Sequence, residues 1–141
     1  MTDKHPPTQS FAARIDQLDA AGAFVEDRCR RAGVADGERL RALLVVEELF
    51  TNAVQHGFGG DSDALLRIGI TVSAAAIELF FEDRAAPFDP TAASVDALDA
   101  PLERRPLGGL GIHLVASLAG SLRYAREDGC NRLWVTLRRG G

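Results

Sequence analysis

Apolar residues recur at helical spacing in two stretches of the N-terminal half. The first stretch begins after a candidate N-cap at Asp16 and ends near Gly33. The second begins after a candidate N-cap at Asp36, ends before Gly57 and carries a long apolar series: Leu40, Leu43, Leu44, Val46, Leu49, Phe50 and Val54. The spacing therefore predicts two amphipathic helices, preceded by a short strand at residues 11–15.

Alternating apolar and polar residues predict strands further along the chain. Residues 64–72 alternate, with Leu66, Ile68, Ile70 and Val72 on one face, and an apolar run at residues 77–82 follows as a second strand. Near the C-terminus, residues 122–126 and 132–138 flank Asp128-Gly129, a pair suited to the positive φ angles of a hairpin turn. Helices and mostly antiparallel strands in blocks predict an α+β fold, a two-layer sandwich.

Residues 84–108 separate these strands from a third predicted helix at about residues 110–118. They carry Pro87, Pro90, Pro101 and Pro106 among small and charged residues. A stretch of this length without periodicity is too long for an ordinary connection in a compact domain and is typical of a lid. We therefore expect a lid beside the third helix.

Composition narrows the function classes. The chain has 141 residues, 46% of them hydrophobic and 26% charged, which predicts one globular domain. Its net charge of -4 makes nucleic acid an unlikely main ligand. No apolar run approaches the roughly 20 residues that cross a bilayer, and no signal peptide precedes the domain, so we expect a cytoplasmic protein without membrane contact. Cys29 and Cys130 lack metal-ligand spacing and are expected to be free thiols.

Three polar side chains share one face of the second helix. Glu48, Asn52 and His56 are spaced four residues apart, and each such step advances only about 40° around a helix. An ordinary wet face of an amphipathic helix is the alternative interpretation. Alone, the spacing does not decide between a site and a solvated surface.

Two further motifs carry candidate chemistry. Asp83 closes a strongly apolar strand, where a carboxylate is costly unless a donor meets it, although it could also cap the following turn. Gly108, Gly109 and Gly111 precede an apolar helix, where backbone N–H groups can approach an anion such as phosphate. The alternative for these glycines is a flexible joint. They match neither the Rossmann fingerprint nor the Walker A loop.

In this order, the three motifs resemble the N, G1 and G2 boxes of the ATP-binding superfamily of gyrase, histidine kinases and mismatch-repair ATPases. The forms E-L-x-x-N-A-x-x-H-G, P-F-D-P and G-G-L-G-I-H-L-V look most like the anti-sigma-factor serine/threonine kinases of bacterial partner-switching systems. The resemblance covers about residues 10–140, after a polar lead at residues 1–9. It implies the histidine-kinase-like (Bergerat) fold, a mixed, mostly antiparallel sheet covered on one face by helices, with an ATP lid at about residues 84–108.

The resemblance also implies roles for individual residues. Glu48 matches the catalytic base, Asn52 the ligand of Mg²⁺, and Asp83 the acceptor of a hydrogen bond from the adenine amino group. His56 matches the last polar residue of the N box and is expected to support the nucleotide pocket. The residues that match the phosphate-wrapping loop are Gly108, Gly109, Leu110 and Gly111.

Two positions depart from the family pattern. Ala85 stands where glycine is common in the G1 box, and its methyl group is expected to crowd either the base or a water beneath it. Leu107 stands where some relatives carry an arginine before the G2 glycines, and Arg104 and Arg105 lie slightly upstream. Whether either arginine reaches the nucleotide stays open.

The implied function is that of an ATP- and Mg²⁺-dependent serine/threonine kinase and anti-sigma factor that regulates transcription. Such a protein phosphorylates a STAS-domain anti-anti-sigma protein and sequesters a sigma factor, and relatives of this kind form homodimers. The main alternative is a catalytically weak nucleotide-binding interaction module of the same fold. A detached catalytic domain of a histidine kinase is disfavoured, because the chain has no room for a helical phosphoacceptor segment.

Overall fold

The computed structural model describes residues 5–87 and 115–140, where alternating sequences form strands and the two periodic stretches form helices. The strands are β1 (Thr8–Ala12), β2 (Leu65–Val72), β3 (Ala76–Asp83), β4 (Ser121–Glu127) and β5 (Cys130–Arg138). The helices are α1 (Leu18–Arg31) and α2 (Asp36–Asn52), with a 3₁₀ turn before α1 (Ile15–Gln17) and a π-helical turn after α2 (Ala53–Gly57). Residues 115–118 are helical and belong to the predicted third helix, most of which lies outside the described residues.

The strands of the described ranges form one sheet in the order β1-β2-β3-β5-β4, and every neighbouring pair is antiparallel. The helices α1 and α2 pack against each other and cover one face of this sheet with the core between the two layers. The predicted two-layer α+β sandwich is therefore confirmed. No helix within the described parts of the chain is long and apolar enough to cross a membrane.

The core forms because both layers present their apolar side to the other. In β2, β3 and β5 every second side chain points toward the helices and is buried. Buried residues of α1 and α2 recur at helical spacing and meet them. The members of this core include Val25, Val45, Val46, Phe50, Leu66, Ile68, Ile77, Leu79, Val135 and Leu137.

The first strand lies three residues earlier than the sequence pattern predicts. β1 pairs with β2 along its whole length, with Phe11 opposite Leu66, whereas Ile15 enters the 3₁₀ turn and is 42% exposed. An edge strand is defined by the backbone groups of its neighbour, so the polar residues before Phe11 join the sheet without an apolar pattern of their own.

The predicted N-caps are also wrong. α1 begins at Leu18, after Asp16, and Asp36 is the first residue of α2 with no cap hydrogen bond from its side chain. The Asp36 carboxylate instead pairs with the guanidinium of Arg39 at 2.8 Å. Acidic residues in the first turn still favour the helix through its dipole. Leu40, assigned to the apolar series, is 58% exposed.

The hairpin at the C-terminus matches its prediction. Asp128 and Gly129 both have positive φ angles, 53° and 75°, in the turn between β4 and β5. Both cysteines are free thiols, as expected, and both are buried. Burial raises the pKa of the Cys29 thiol.

The face of the sheet away from the helices carries a second group of buried rings. Phe80 and Trp134 are almost fully buried there, and the His5 ring stacks on Phe80 with 4.3 Å between centroids. The Arg123 guanidinium lies 4.0 Å above the Trp134 ring. A Cβ at Gly69 would lie 2.9 Å from the carbonyl oxygen of Pro7, so glycine permits this close approach of the N-terminal segment to the sheet.

Candidate functional site

The C-terminal end of α2 carries the predicted polar face. Asn52 is the last residue of α2, and His56 lies in the π-helical turn that follows. The amide of Phe58 donates to the carbonyl of Ala53 at 2.9 Å, the five-residue spacing of a π turn. Single π turns of this kind often occur at functional sites.

A cavity lies between this end of α2 and the neighbouring ends of β3 and β5. The residues described enclose a volume of about 70 Å³. Asn52 and His56 line it from the helix, Asp83 and Ala85 line it from the end of β3, and apolar side chains form much of the remaining wall. Glu48 is half-buried one helical turn before Asn52 and does not line the cavity.

Asp83 lines the cavity and is hydrogen-bonded to strand β5. Its Oδ1 atom accepts hydrogen bonds from the backbone amide of Ala85 at 3.0 Å and from Nδ2 of Asn131 at 2.9 Å. The first of these bonds is the turn-capping contact that the sequence left as an alternative. Within the described residues no donor reaches Oδ2 of Asp83. One carboxylate oxygen is thus held by the protein while the other is left to accept a further hydrogen bond.

Sequence reasoning missed Asn131 and Tyr124, which also line the cavity. Asn131 lies opposite Asp83 in the register of β3 and β5 and is 8% exposed. The Tyr124 hydroxyl donates to Oδ1 of Asn131. A signal for Asn131 exists in the sequence, since it is the polar member of an otherwise apolar alternating series with Leu133, Val135 and Leu137.

Ala85 is buried in the wall of the cavity, 6% exposed. Its backbone oxygen accepts a hydrogen bond of 2.7 Å from the Arg126 guanidinium. A Cβ placed on Gly57 would lie 3.0 Å from the Ala85 Cβ. The extra methyl group at residue 85 therefore fits because residue 57 has no side chain.

Asn52 carries an unsatisfied polar atom at the cavity. Its Nδ2 is buried and has no hydrogen-bond partner within the described ranges. A buried amide group costs free energy unless it is satisfied, so this atom is a candidate donor to a polar ligand. No group of three or more histidine, cysteine, aspartate or glutamate side chains in residues 5–87 and 115–140 forms a ready metal cage. A cation at Asn52 would take its other ligands from water and from phosphate oxygens, as Mg²⁺ commonly does.

The rest of the expected site lies outside the described residues. This holds for the phosphate-wrapping loop and for most of the lid, including Gly108, Gly109, Leu110, Gly111, Leu107, Arg104 and Arg105. Their assignments stay predictions. The described part of the site consists of the cavity wall at the ends of β3 and β5 and the C-terminal end of α2.

Sequence comparison identifies relatives of the whole domain. Residues 11–137 match the family model described as "Histidine kinase-like ATPase domain". The chain is 30% identical over 98 residues to the serine/threonine-protein kinase BtrW of Bordetella bronchiseptica, a match that covers 70% of this chain and 69% of the relative.

Solved structures show the same fold at lower identity. A chain of the SiaB–SiaC complex from Pseudomonas aeruginosa superposes with a TM-score of 0.65 at 12% identity, covering 93% of this chain and 88% of that one. The RsbU and RsbW domains of a Mycobacterium tuberculosis protein give a TM-score of 0.61 at 16% identity, covering 96% of this chain and 34% of that one.

Proposed function

Because the chain belongs to the histidine kinase-like ATPase domain family, among the partner-switching serine/threonine kinases, we propose that it is an ATP- and Mg²⁺-dependent protein kinase. Its substrate is a Ser or Thr of a STAS-domain anti-anti-sigma protein. It holds a sigma factor when that antagonist is phosphorylated, and it acts as a homodimer. The kinase name of BtrW and the protein complex of SiaB with SiaC support this proposal.

The observation that carries the proposal is that Asp83 and Asn52 line the same cavity. Oδ2 of Asp83, which no donor among the described residues reaches, would accept a hydrogen bond from the amino group of an adenine base. The apolar walls suit the faces of a flat ring. The Nδ2 atom of Asn52 has no partner among the described residues and could donate to the phosphates of the same nucleotide. His56 and Ala85 complete the wall around the base.

Asn52 would hold Mg²⁺ through its amide oxygen, together with phosphate oxygens and water. When bound, the cation neutralises charge on the transferred phosphoryl group. With Oδ1 on the cation, the Nδ2 of Asn52, which has no partner among the described residues, would donate a hydrogen bond to a phosphate oxygen beside it.

Glu48 is the proposed catalytic base. The hydroxyl oxygen of the substrate forms a bond to the γ-phosphorus, the bond from that phosphorus to its bridging oxygen breaks, and ADP leaves. The Glu48 carboxylate takes the hydroxyl proton. Its position one turn before Asn52 suits this role, because Asn52 is the residue proposed to hold the cation beside the phosphates.

The first experiment is a calorimetric titration of the protein with ATP in the presence and absence of Mg²⁺. The matched variant is Asp83→Asn, which keeps the size of the side chain and removes its charge. We expect binding by the wild type and at least tenfold weaker binding by the variant, because a charged hydrogen bond is worth about 1.5–3 kcal/mol. Absence of ATP binding by the wild type would refute the nucleotide site.

Phosphoryl transfer is then measured with γ-labelled ATP and a purified STAS-domain substrate, with Glu48→Gln as the inactive control. Label on a substrate Ser or Thr that depends on Glu48 supports the kinase. ATP binding without transfer to any such substrate would instead identify the catalytically weak interaction module.

A further inference from the structure

We propose that Asn131, held by Tyr124, is a positioning residue that fixes the Asp83 carboxylate so that the cavity selects adenine over guanine. This inference rests on the proposed ATP site. It assigns the selectivity to a hydrogen-bonded series that runs from Tyr124 on β4 through Asn131 on β5 to Asp83 on β3.

The Asp83 carboxylate is fixed by two donors to the same oxygen. Nδ2 of Asn131 and the amide of Ala85 both donate to Oδ1, at 2.9 and 3.0 Å. A carboxylate held at one oxygen by two donors from different directions cannot rotate without losing both bonds. Its second oxygen therefore keeps one position on a residue that lines the cavity.

The orientation of the Asn131 amide follows from its neighbours. Three acceptors surround its Nδ2: Oδ1 of Asp83 and the carbonyl oxygens of Ala85 and Ala86, the last two at 3.3 and 3.0 Å. A flipped amide would place its oxygen against three oxygens. The Tyr124 hydroxyl donates to Oδ1 of Asn131 on the other side and holds the amide this way round.

At Asp83 this arrangement presents an acceptor to the base. The amino group of adenine donates to such an acceptor, whereas guanine carries a carbonyl oxygen at the same ring position, and two oxygens repel. Sites that hold a polar partner in one orientation discriminate strongly, because the wrong ligand leaves a buried group unpaired. Without Asn131 the Asp83 carboxylate gains freedom to rotate and to take up water, so discrimination falls.

The test is calorimetric measurement of the dissociation constants for ATP and GTP in the wild type, Tyr124→Phe, Asn131→Leu and the double variant. Tyr124→Phe keeps the ring and removes only the hydroxyl. We expect the ATP dissociation constant to rise about 3- to 10-fold in Tyr124→Phe and about 10- to 100-fold in Asn131→Leu. The ratio of the GTP to the ATP dissociation constant should fall in both variants.

The double variant separates positioning from packing. Because Tyr124 acts through Asn131, adding Tyr124→Phe to Asn131→Leu should change neither the ATP affinity nor the GTP-to-ATP ratio further. Leu122→Val is the matched control, since Leu122 packs against the core from β4 and does not line the cavity. It should leave the GTP-to-ATP ratio unchanged.

A purely structural role for Asn131 would weaken ATP and GTP binding equally and leave their ratio at the wild-type value, which would overturn the inference. Additive effects of the two substitutions would overturn the link through Tyr124. If Asn131→Leu fails to fold, the ratio in Tyr124→Phe decides alone. Wild-type ATP binding that depends on Asp83, with an unchanged ratio in the variants, would refute this inference and leave the proposed function standing. No ATP binding by the wild type would refute both.

Discussion

Gly57 and Ala85 face each other across one wall of the candidate nucleotide cavity, and the contact predicts an unfavourable effect of Gly57→Ala. Gly57 has no positive φ angle, so its backbone conformation is open to alanine. The substitution therefore tests the contact between the two side chains rather than backbone strain.

The size of the effect follows from two opposing contributions. The new Cβ would lie 3.0 Å from the Cβ of Ala85, whereas carbon atoms prefer separations of about 3.5–4.0 Å. Overpacking of this kind costs about 1–3 kcal/mol. Replacing glycine lowers the entropy of the unfolded chain and returns about 0.4–1 kcal/mol. Gly57→Ala should thus lower the free energy of unfolding by about 1–2 kcal/mol.

The matched background is Ala85→Gly, which removes the methyl group that the new side chain would strike. In this background Gly57→Ala should be neutral or stabilising, giving a coupling free energy of about 1–3 kcal/mol in a double-mutant cycle. Urea denaturation followed by circular dichroism measures the four free energies of unfolding. Calorimetry with ATP should show weaker binding by Gly57→Ala and recovery in the double variant.

An equal loss of stability on adding Gly57→Ala to the wild type and to Ala85→Gly would refute the reasoning. The effect would then arise from the π-helical turn itself rather than from the contact with Ala85. The cycle therefore decides whether the two positions act as a pair.

Three further predictions concern catalysis, metal binding and stability. Glu48→Gln should lower the rate of phosphoryl transfer about 10²- to 10⁴-fold, which is the range for loss of a general base. Calorimetry should show an unchanged ATP affinity. A wild-type transfer rate in this variant would show that Glu48 is not the base. Asn52→Ala should abolish the dependence of ATP affinity on Mg²⁺, and a wild type with no such dependence would contradict the assignment. The Gly140 amide, with help from Arg139, holds the pKa of Glu38 below its ordinary value of 4.5. A lowered folded-state pKa contributes stability above the unfolded-state value that is lost as pH falls through the folded one. The difference in unfolding free energy between the wild type and Glu38→Gln should therefore shrink below about pH 4.5, and a constant difference in urea titrations would argue against it.

Local patterns predicted the parts of the fold that local forces determine. The strand β2 follows from side-chain alternation, β3 from its apolar run, and the final hairpin from the turn at Asp128 and Gly129. The sequence pattern misplaces the edge strand β1 and the start of α1, because their positions depend on partners that are distant in sequence. The amide of Ile15, for example, donates to the Asp61 carboxylate, 46 residues away in sequence.

The candidate site likewise contains residues that local patterns predict and contacts that only the tertiary structure reveals. The helical spacing and the strand end pointed to Asn52, His56 and Asp83, and the structure brings these three together in one cavity. Glu48 shares their helix and does not reach that cavity. The contact between Asn131 and Asp83 joins residues 48 positions apart, and only the pairing of β3 with β5 reveals it. The close approach of Gly57 to Ala85 also depends on tertiary packing.

The buried rings on the outer face of the sheet give the protein an optical reporter. Trp134 is the single tryptophan of the chain, and its ring lies between Phe80 and the Arg123 guanidinium. The cavity is on the other side of the same strand, reached by Asn131 and Leu133. Intrinsic fluorescence excited at the tryptophan therefore monitors the integrity of the outer face. A change in tryptophan emission on adding nucleotide would mean that binding in the cavity alters the packing of the rings on the opposite face of the sheet, where His5 stacks on Phe80.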